Sequence, residues 1–330
     1  MIDLDALDQA LLEQMQSRFP LEARPFAVLG EAVGLDEANV LLRTRRLKEA
    51  NVIRQIGAIF DTRRLGYQST LVAFHVEDGS LEDAAAVVSA HPGVSHNYAR
   101  PHYYNLWFTL AVPPGQTVQE EIRRLAEQAD VGEWLDLPAL RVFKIRTHFR
   151  LGVGETRQAE AVQGADRSEG RELTPGDIPA IRALQQDLSL VPRPFAEAAE
   201  GLGLSEAALL DKAQDLKAAG IMRRFGAVLR HRRVGYTANG MACWVVPERR
   251  IEEMGRFAAG YAEVSHCYHR PAYPPRWPYT LFTMIHGQTM DEVESIVAQI
   301  ALKTGIQQKE VLYSTREFKK ERIRYFKEEA

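Results

Sequence analysis

The chain has 330 residues, 45% apolar and 26% charged, enough for two or three units that each bury a core. Its formal net charge of −3 excludes a basic nucleic-acid coat or a polybasic membrane binder, and Cys243 and Cys267 are too few for a disulfide framework or a four-cysteine zinc site. No apolar run is long enough to span a membrane, and the acidic start Met1-Ile2-Asp3-Leu4-Asp5 lacks the parts of a secretory leader, so a cytoplasmic protein is expected.

In chain order, Leu4, Leu7, Leu11 and Met15 recur at helical spacing and predict a first helix. A second, short helix ends near Gly34, where glycine accepts the left-handed conformation. Asp36 stands where an N-cap belongs and opens a third helix with Leu41, Leu42 and Leu47 inward. Helix, turn and helix read as a helix-turn-helix. The period then changes. Ile53–Phe60 and 70–75 read as strands, 80–91 as a helix, 94–98 and 106–112 as strands, and 117–128 as a helix. The order β-α-β-β-α is that of a ferredoxin-like α+β domain.

The second half repeats the first. Arg24-Pro25-Phe26 recurs as Arg193-Pro194-Phe195, Gly57-Ala58 as Gly226-Ala227, and Arg63-Arg64 with Gly66-Tyr67 as Arg232-Arg233 with Gly235-Tyr236, all at one displacement. Val94-Ser95-His96 recurs as Val264-Ser265-His266, one residue further on, followed by Tyr98, Arg100 and Pro101 against Tyr268, Arg270 and Pro271. Ile178, Ile181, Leu184 and Leu188 mirror the first helix, and Ser205 mirrors Asp36. The predicted units are a helix-turn-helix lobe over 1–60, a ferredoxin-like domain over 61–151, a polar linker over 152–172, a second lobe over 173–229 and a second ferredoxin-like domain over 230–330.

The two recognition helices are unequal. In the first, Arg43, Arg45, Arg46 and Lys48 outnumber Asp36, Glu37 and Glu49; in the second, Lys212 and Lys217 are outnumbered by Glu206, Asp211 and Asp215. A two-fold operator needs two comparable readers, so specific DNA binding is not expected.

Five of the nine histidines (His96, His102, His266, His269 and His286) lie in two segments that also concentrate arginine and aromatics. On a strand, His96, Tyr98 and Arg100 project to one face. Guanidinium forks pair carboxylates, aromatic rings cover a planar ligand, and imidazole ligates iron or moves protons. A strand histidine is also commonly a structural hydrogen-bonder, and Tyr98, Tyr268 and Trp107 suit core or interface packing equally. A zinc site is not expected, because no paired ligands at helical spacing appear.

A helix-turn-helix feeding a ferredoxin-like domain through Ile53-Arg-Gln-Ile-Gly-Ala-Ile-Phe-Asp61 and Leu65-Gly-Tyr67 resembles the Lrp/AsnC family, twice over nearly the whole chain. The segments Val94-Ser-His-Asn-Tyr-Ala-Arg-Pro-His-Tyr-Tyr-Asn-Leu-Trp107 and Val264-Ser-His-Cys-Tyr-His-Arg-Pro271, with Trp277-Pro-Tyr279 and Met284-Ile-His-Gly287, sharpen this to a resemblance to siroheme decarboxylases. One departure is Tyr279-Thr280 where the first copy has Tyr104-Asn105. Arg141-Val-Phe-Lys-Ile-Arg146 is similar to the first subunit type of that family and Arg316-Glu-Phe-Lys-Lys-Glu-Arg-Ile-Arg-Tyr-Phe326 to the second, as in the fused form of the haem d1 pathway.

The resemblance implies an α+β tandem repeat of helix-turn-helix plus Lrp/AsnC-type ferredoxin-like sandwich, paired as a pseudo-dimer within one chain. It implies a carboxy-lyase that takes CO2 from the C12 and C18 acetates of siroheme to give 12,18-didecarboxysiroheme, with no added cofactor, the iron belonging to the substrate. His96 and His266 are the expected catalytic pair, with His102 next. Arg100, Arg270, Arg146 and Arg316 are candidate carboxylate clamps, and Tyr98, Tyr268, Trp107 and His269 further substrate contacts. His286, or alternatively His269, is the candidate axial ligand to the substrate iron, and either is alternatively a proton donor. The competing readings are an Lrp/AsnC-type transcriptional regulator and a non-catalytic tetrapyrrole carrier. A monomer is expected, with a dimer of fused chains as the alternative.

Overall fold

The structure, a computed structural model, describes residues 4–145, 171–229 and 238–327. Arg146, Arg232-Arg233 and most of the expected linker lie outside the described residues. Local chemistry sets the helix boundaries. Asp5 caps α1 (Ala6–Ser17) in a reciprocal box with Asp8. α2 (Pro25–Val33) starts on a proline whose missing N–H costs nothing there, and it stops at Gly34 with φ 75°. Asp36 caps α3 (Glu37–Glu49) by accepting from the Asn39 N–H at 2.8 Å. Val40, Leu41 and Leu47 form its buried stripe, but Leu42 is 62% exposed, contrary to expectation. At 3.6 residues per turn, position 42 falls roughly 200° round from Val40, off the stripe.

The second copy repeats this as α6 (Ile178–Leu184), α7 (Pro194–Glu200) and α8 (Glu206–Ala218), the last capped by Ser205. Leu188, expected to continue the first helix of this copy, lies beyond α6; its N–H donates to the Ile56 carbonyl at 2.8 Å. The strands that follow each lobe, β1 (Ile53–Phe60) and β7 (Met222–Leu229), pair with each other as an antiparallel ribbon, with Gly57 opposite Gly226. Each carries the helix end of the opposite copy. A Cβ on Gly57 would lie 2.6 Å from the Gln186 carbonyl oxygen, and one on Gly226 would lie 2.5 Å from that of Met15. The repeated Gly-Ala is therefore a close-approach device, and both lobes share one hydrophobic core.

The ferredoxin-like units comprise β2 (Gln68–His75), α4 (Leu81–Ala90), β3 (Val94–Ala99), β4 (Leu106–Val112), α5 (Val118–Gln128) and β5 (Glu133–Pro138), mirrored by β8 (Ala238–Trp244), α9 (Ile251–Ala259), β9 (Val264–His269), β10 (Leu281–Gly287), α10 (Met290–Thr304) and β11 (Lys309–Tyr313). Two further strands change places. β6 (Arg141–Ile145), in sequence part of the first unit, pairs with β9 in the second sheet; β12 (Arg316–Lys320) pairs with β3 in the first. The sheet orders are β12-β3-β4-β2-β5 and β11-β8-β10-β9-β6. The expected boundary near residue 151 lies outside the described residues, and β6 and β12 each join the sheet of the other unit.

Helices cover one face of each sheet. The other faces meet, joined by a core of Ala73, Tyr104, Trp107, Leu135 and Leu137 from one copy and Met241, Cys243, Trp277, Phe282 and Leu312 from the other. The pseudo-dimer is therefore internal. No helix among the described residues is long and apolar enough to cross a membrane.

Gly226→Ala forces the ribbon and the end of α1 apart, because the atom it meets is backbone. A destabilisation of about 1–3 kcal/mol is expected, read as a lowered denaturation midpoint; an unchanged midpoint would refute the close-approach account.

Candidate active site

β3 sends Val94 and Asn97 toward the helices and His96, Tyr98 and Arg100 toward the other sheet, and β9 does the same with His266, Tyr268 and Arg270. The His96 and Tyr98 rings lie 6.1 Å apart and those of His266 and Tyr268 6.0 Å apart; Arg270 sits with its guanidinium carbon 4.7 Å from the Tyr268 ring centre, Arg100 5.9 Å from that of Tyr98. Both arginines are buried. Each donates through Nη1 to a carbonyl of the other copy, Arg100 to Leu312 and Arg270 to Leu137, while each Nε is buried without a hydrogen-bond partner.

A β-bulge falls at the same place in both copies: Val94 and His96 face Leu110 and Thr109, and Val264 and His266 face Ile285 and Met284, leaving Ser95 and Ser265 as the extra residues. The bulge sets each serine beside its histidine. Ser95 Oγ lies 2.9 Å from His96 Nδ1 and 2.6 Å from Thr109 Oγ1. Ser265 Oγ lies 2.8 Å from His266 Nδ1, 2.8 Å from His286 Nε2 and 3.2 Å from the Met284 carbonyl oxygen. The sequence signal for these serines was the Val-Ser-His that recurs in both halves, although only the histidine was singled out.

Burial is the first cause that pushes all three imidazoles down to about 4. Lys320 and Arg54 add to the effect at His96, Lys320 at His286, and His286, His96, Arg270 and Lys144 at His266. The three histidines and Lys320 therefore share one electrostatic neighbourhood assembled from β3, β9, β10 and β12. Lys320 gets there by strand exchange: it stands opposite His96 in the β12–β3 register, and Arg54 on β1 donates to its carbonyl at 2.6 Å.

Other expected residues lie elsewhere. His102 is at the far end of the inter-sheet core, its ring 5.4 Å from Trp277 and its Nε2 3.7 Å from Glu310. His269 turns to the helix side of β9, 3.7 Å from Glu248. Arg316 pairs with Glu82 of α4, on the helix side of its sheet and away from His96, so Lys320 takes the place expected of it. Trp107 is buried between the sheets, its indole donating to the Tyr104 carbonyl at 2.6 Å and its ring 5.2 Å from Trp277. His286 is engaged through Nε2 with Ser265, which opposes its use as an axial ligand through that atom. Among the described residues no three His, Cys, Asp or Glu side chains are grouped to hold a metal ion.

Family comparison matches the siroheme decarboxylase NirDL-like helix-turn-helix domain at residues 8–54 and 177–223, and the AsnC-like ligand binding domain at 64–144 and 233–319. A siroheme decarboxylase of Hydrogenobacter thermophilus is 43% identical over 320 residues, 97% of this chain and 95% of its own length. The chain belongs to the siroheme decarboxylase family. The crystal structure of the siroheme decarboxylase NirDL in co-complex with an iron-uroporphyrin III analogue matches with a TM-score of 0.76 at 38% identity, covering 97% of this chain and 95% of that one. Some siroheme decarboxylases have separate subunits: the alpha subunit of Oleidesulfovibrio alaskensis is 42% identical over 149 residues, 45% of this chain and 90% of its own length.

The depressed imidazoles have a consequence for stability. Between pH 6.5, the ordinary histidine value, and about 4, the unfolded chain takes up protons that the folded chain refuses, so stability falls as pH drops through that window. His286→Ala, which installs the residue found at the matching position Ala111, should flatten this loss by several °C of melting temperature, on the order expected for one such group. Identical melting profiles of variant and parent between pH 7 and 4 would contradict it.

Proposed function

We propose that this chain is a siroheme decarboxylase that removes the carboxyl groups of the C12 and C18 acetates as CO2 and yields 12,18-didecarboxysiroheme for haem d1 or alternative haem biosynthesis. The observation that carries the assignment to this site is the Ser–His pair repeated in both copies, with His96 and His266 turned toward the opposite sheet and Lys320, Arg54 and Arg270 close enough to act on them. Each event breaks the bond between methylene and carboxylate, leaves the electron pair on the methylene carbon in conjugation with the macrocycle, and consumes one proton to make a methyl group. The protein must supply that proton near neutral pH.

Imidazole is the group suited to it. Burial keeps the three histidines neutral at pH 7. The carboxylates of an arriving tetrapyrrole favour imidazolium and raise these values, so substrate brings the proton donor into its working range. Arg100 and Arg270, each with a buried unpartnered Nε, are our carboxylate holders, and Tyr98 and Tyr268 cover the ring plane. Burial of the reacting carboxylate is relieved when CO2 leaves, a smaller and disputed contribution. The substrate iron needs no resident metal beside it in this reading.

Anaerobic incubation with siroheme followed by mass spectrometry should read the loss of two CO2; an unchanged mass would leave a carrier. His96→Ala and His266→Ala should each slow the reaction by about 10² or more with the fold intact. Wild-type rates in both single variants and in the double variant would remove the site assignment.

A DNA-binding role is disfavoured by the first recognition helix itself. Arg43 pairs with Asp5 and Asp8 at 2.7 and 2.8 Å, Arg46 with Asp8, Lys48 with Asp187 at 2.7 Å, and Arg45 donates to the Leu190 carbonyl at 2.8 Å. In the second copy Lys212 holds Asp177, the counterpart of Asp8, at 3.0 Å. The cations that would meet phosphate are held by the protein's own acids and carbonyls. In sedimentation with a labelled duplex at physiological salt, the chain should run as a 37.2 kDa monomer and leave the duplex unshifted. A nanomolar complex with one sequence, or a stable dimer, would overturn this part of the reading.

A further inference from the structure

The two copies are not equivalent at the serine. In the first, Ser95 connects His96, among the described residues, only to the Thr109 hydroxyl, because Ala111 stands where the second copy has His286: β4 runs Leu106-Trp-Phe-Thr-Leu-Ala-Val112 and β10 runs Leu281-Phe-Thr-Met-Ile-His-Gly287 in the same sheet positions. In the second, one hydroxyl lies 2.8 Å from an imidazole nitrogen on either side.

We infer that Ser265 is a positioning and proton-relay residue that links His286 to His266, making the second copy the one whose histidine is reprotonated during decarboxylation. The inference rests on the reaction proposed above. A serine hydroxyl has one proton and accepts others, so between two imidazoles it receives from one while giving to the other. Starting with His286 as imidazolium and His266 neutral with its proton on Nε2, the transfers balance. The Nε2 proton of His266 goes to the substrate methylene carbon, the Ser265 proton goes to His266 Nδ1, and the Nε2 proton of His286 goes to Ser265 Oγ. Serine ends as it began, His286 ends neutral, and one proton has been delivered for one CO2 released. When neither histidine needs a proton, both can donate to Ser265 while its own proton goes to the Met284 carbonyl at 3.2 Å, so the hydroxyl is held ready in every state.

The charged and titratable groups around the relay come from four elements: Lys320 on β12 acts on His286, while His96 on β3, Lys144 on β6 and Arg270 at the end of β9 act on His266. The cations Lys320, Lys144 and Arg270 oppose protonation, so the relay works only with anionic substrate bound. In the first copy Ser95 and Thr109 form a dead end, since no titratable group stands at position 111 to refill the chain.

The test uses the full chain, single-turnover decarboxylation of siroheme and melting curves as the check on folding. Ser265→Ala and His286→Ala should each slow the reaction by about tenfold or more and move the acidic limb of the rate–pH profile, and the double variant should be no slower than the slower single, as for residues acting as one unit. Ser265→Thr, which keeps a hydroxyl, should restore most of the rate and the profile. Undiminished rate in Ser265→Ala, multiplying defects in the double variant, or a threonine variant as slow as alanine would each overturn the relay. A wild-type chain that releases no CO2 would instead sink the proposed function, so the two failures are distinguishable.

Discussion

Neither ferredoxin-like unit supplies its own fifth strand. An open antiparallel sheet leaves a row of N–H and C=O groups unpaired at its edge. Here the edge beside β3 is closed by β12 from the end of the chain, and the edge beside β9 by β6 from the end of the first unit. The exchange clamps the two sheets face to face and fixes which residues of one copy look at the other. Arg100 and Arg270 then cross the gap to carbonyls that only the opposite copy can offer. The same reciprocity governs the lobes, where Gly57 and Gly226 let β1 and β7 lie against the helix ends of the other half.

The site follows from that clamp. The bulge at Ser95 and Ser265 turns a local irregularity into a hydroxyl–imidazole pair in each copy, and strand exchange carries Lys320 to the position paired with His96, on the same face of the sheet. Taking three imidazoles and several cations out of water is unfavourable without counter-charge. The protein limits this cost by keeping the histidines neutral. In the proposed reaction a polycarboxylate substrate would supply the missing negative charge, and its binding would then be tied to proton uptake. The divergence of His286 from Ala111 then makes a duplicated frame chemically one-sided.

The helix-turn-helix lobes illustrate a frame retained for packing. Asp8 and Asp177 are buried at matching positions, and each takes a base from the helix that would otherwise face a groove. Each lobe buries part of one common core, so losing it would expose the ribbon on which the sheets stand.

The sequence by itself determined what depends on neighbours along the chain. The duplication, the caps at Asp36 and Ser205, the stop at Gly34 and the shared face of His96, Tyr98 and Arg100 all follow from repeats, capping chemistry and two-residue alternation. The family resemblance lay in the same motifs. The inward placement of Leu42 failed because the stripe of α3 runs through Val40, two residues earlier, together with Leu41 and Leu47. Only the tertiary structure decided which strand closes which sheet, that β1 pairs with β7, that Lys320 rather than Arg316 reaches the His96 side, that His102 sits apart, and that Ser265 meets His286. Alternation fixes the face a side chain takes, but its partner across that face is set by strand pairing between segments far apart in the chain, and nothing local encodes that pairing.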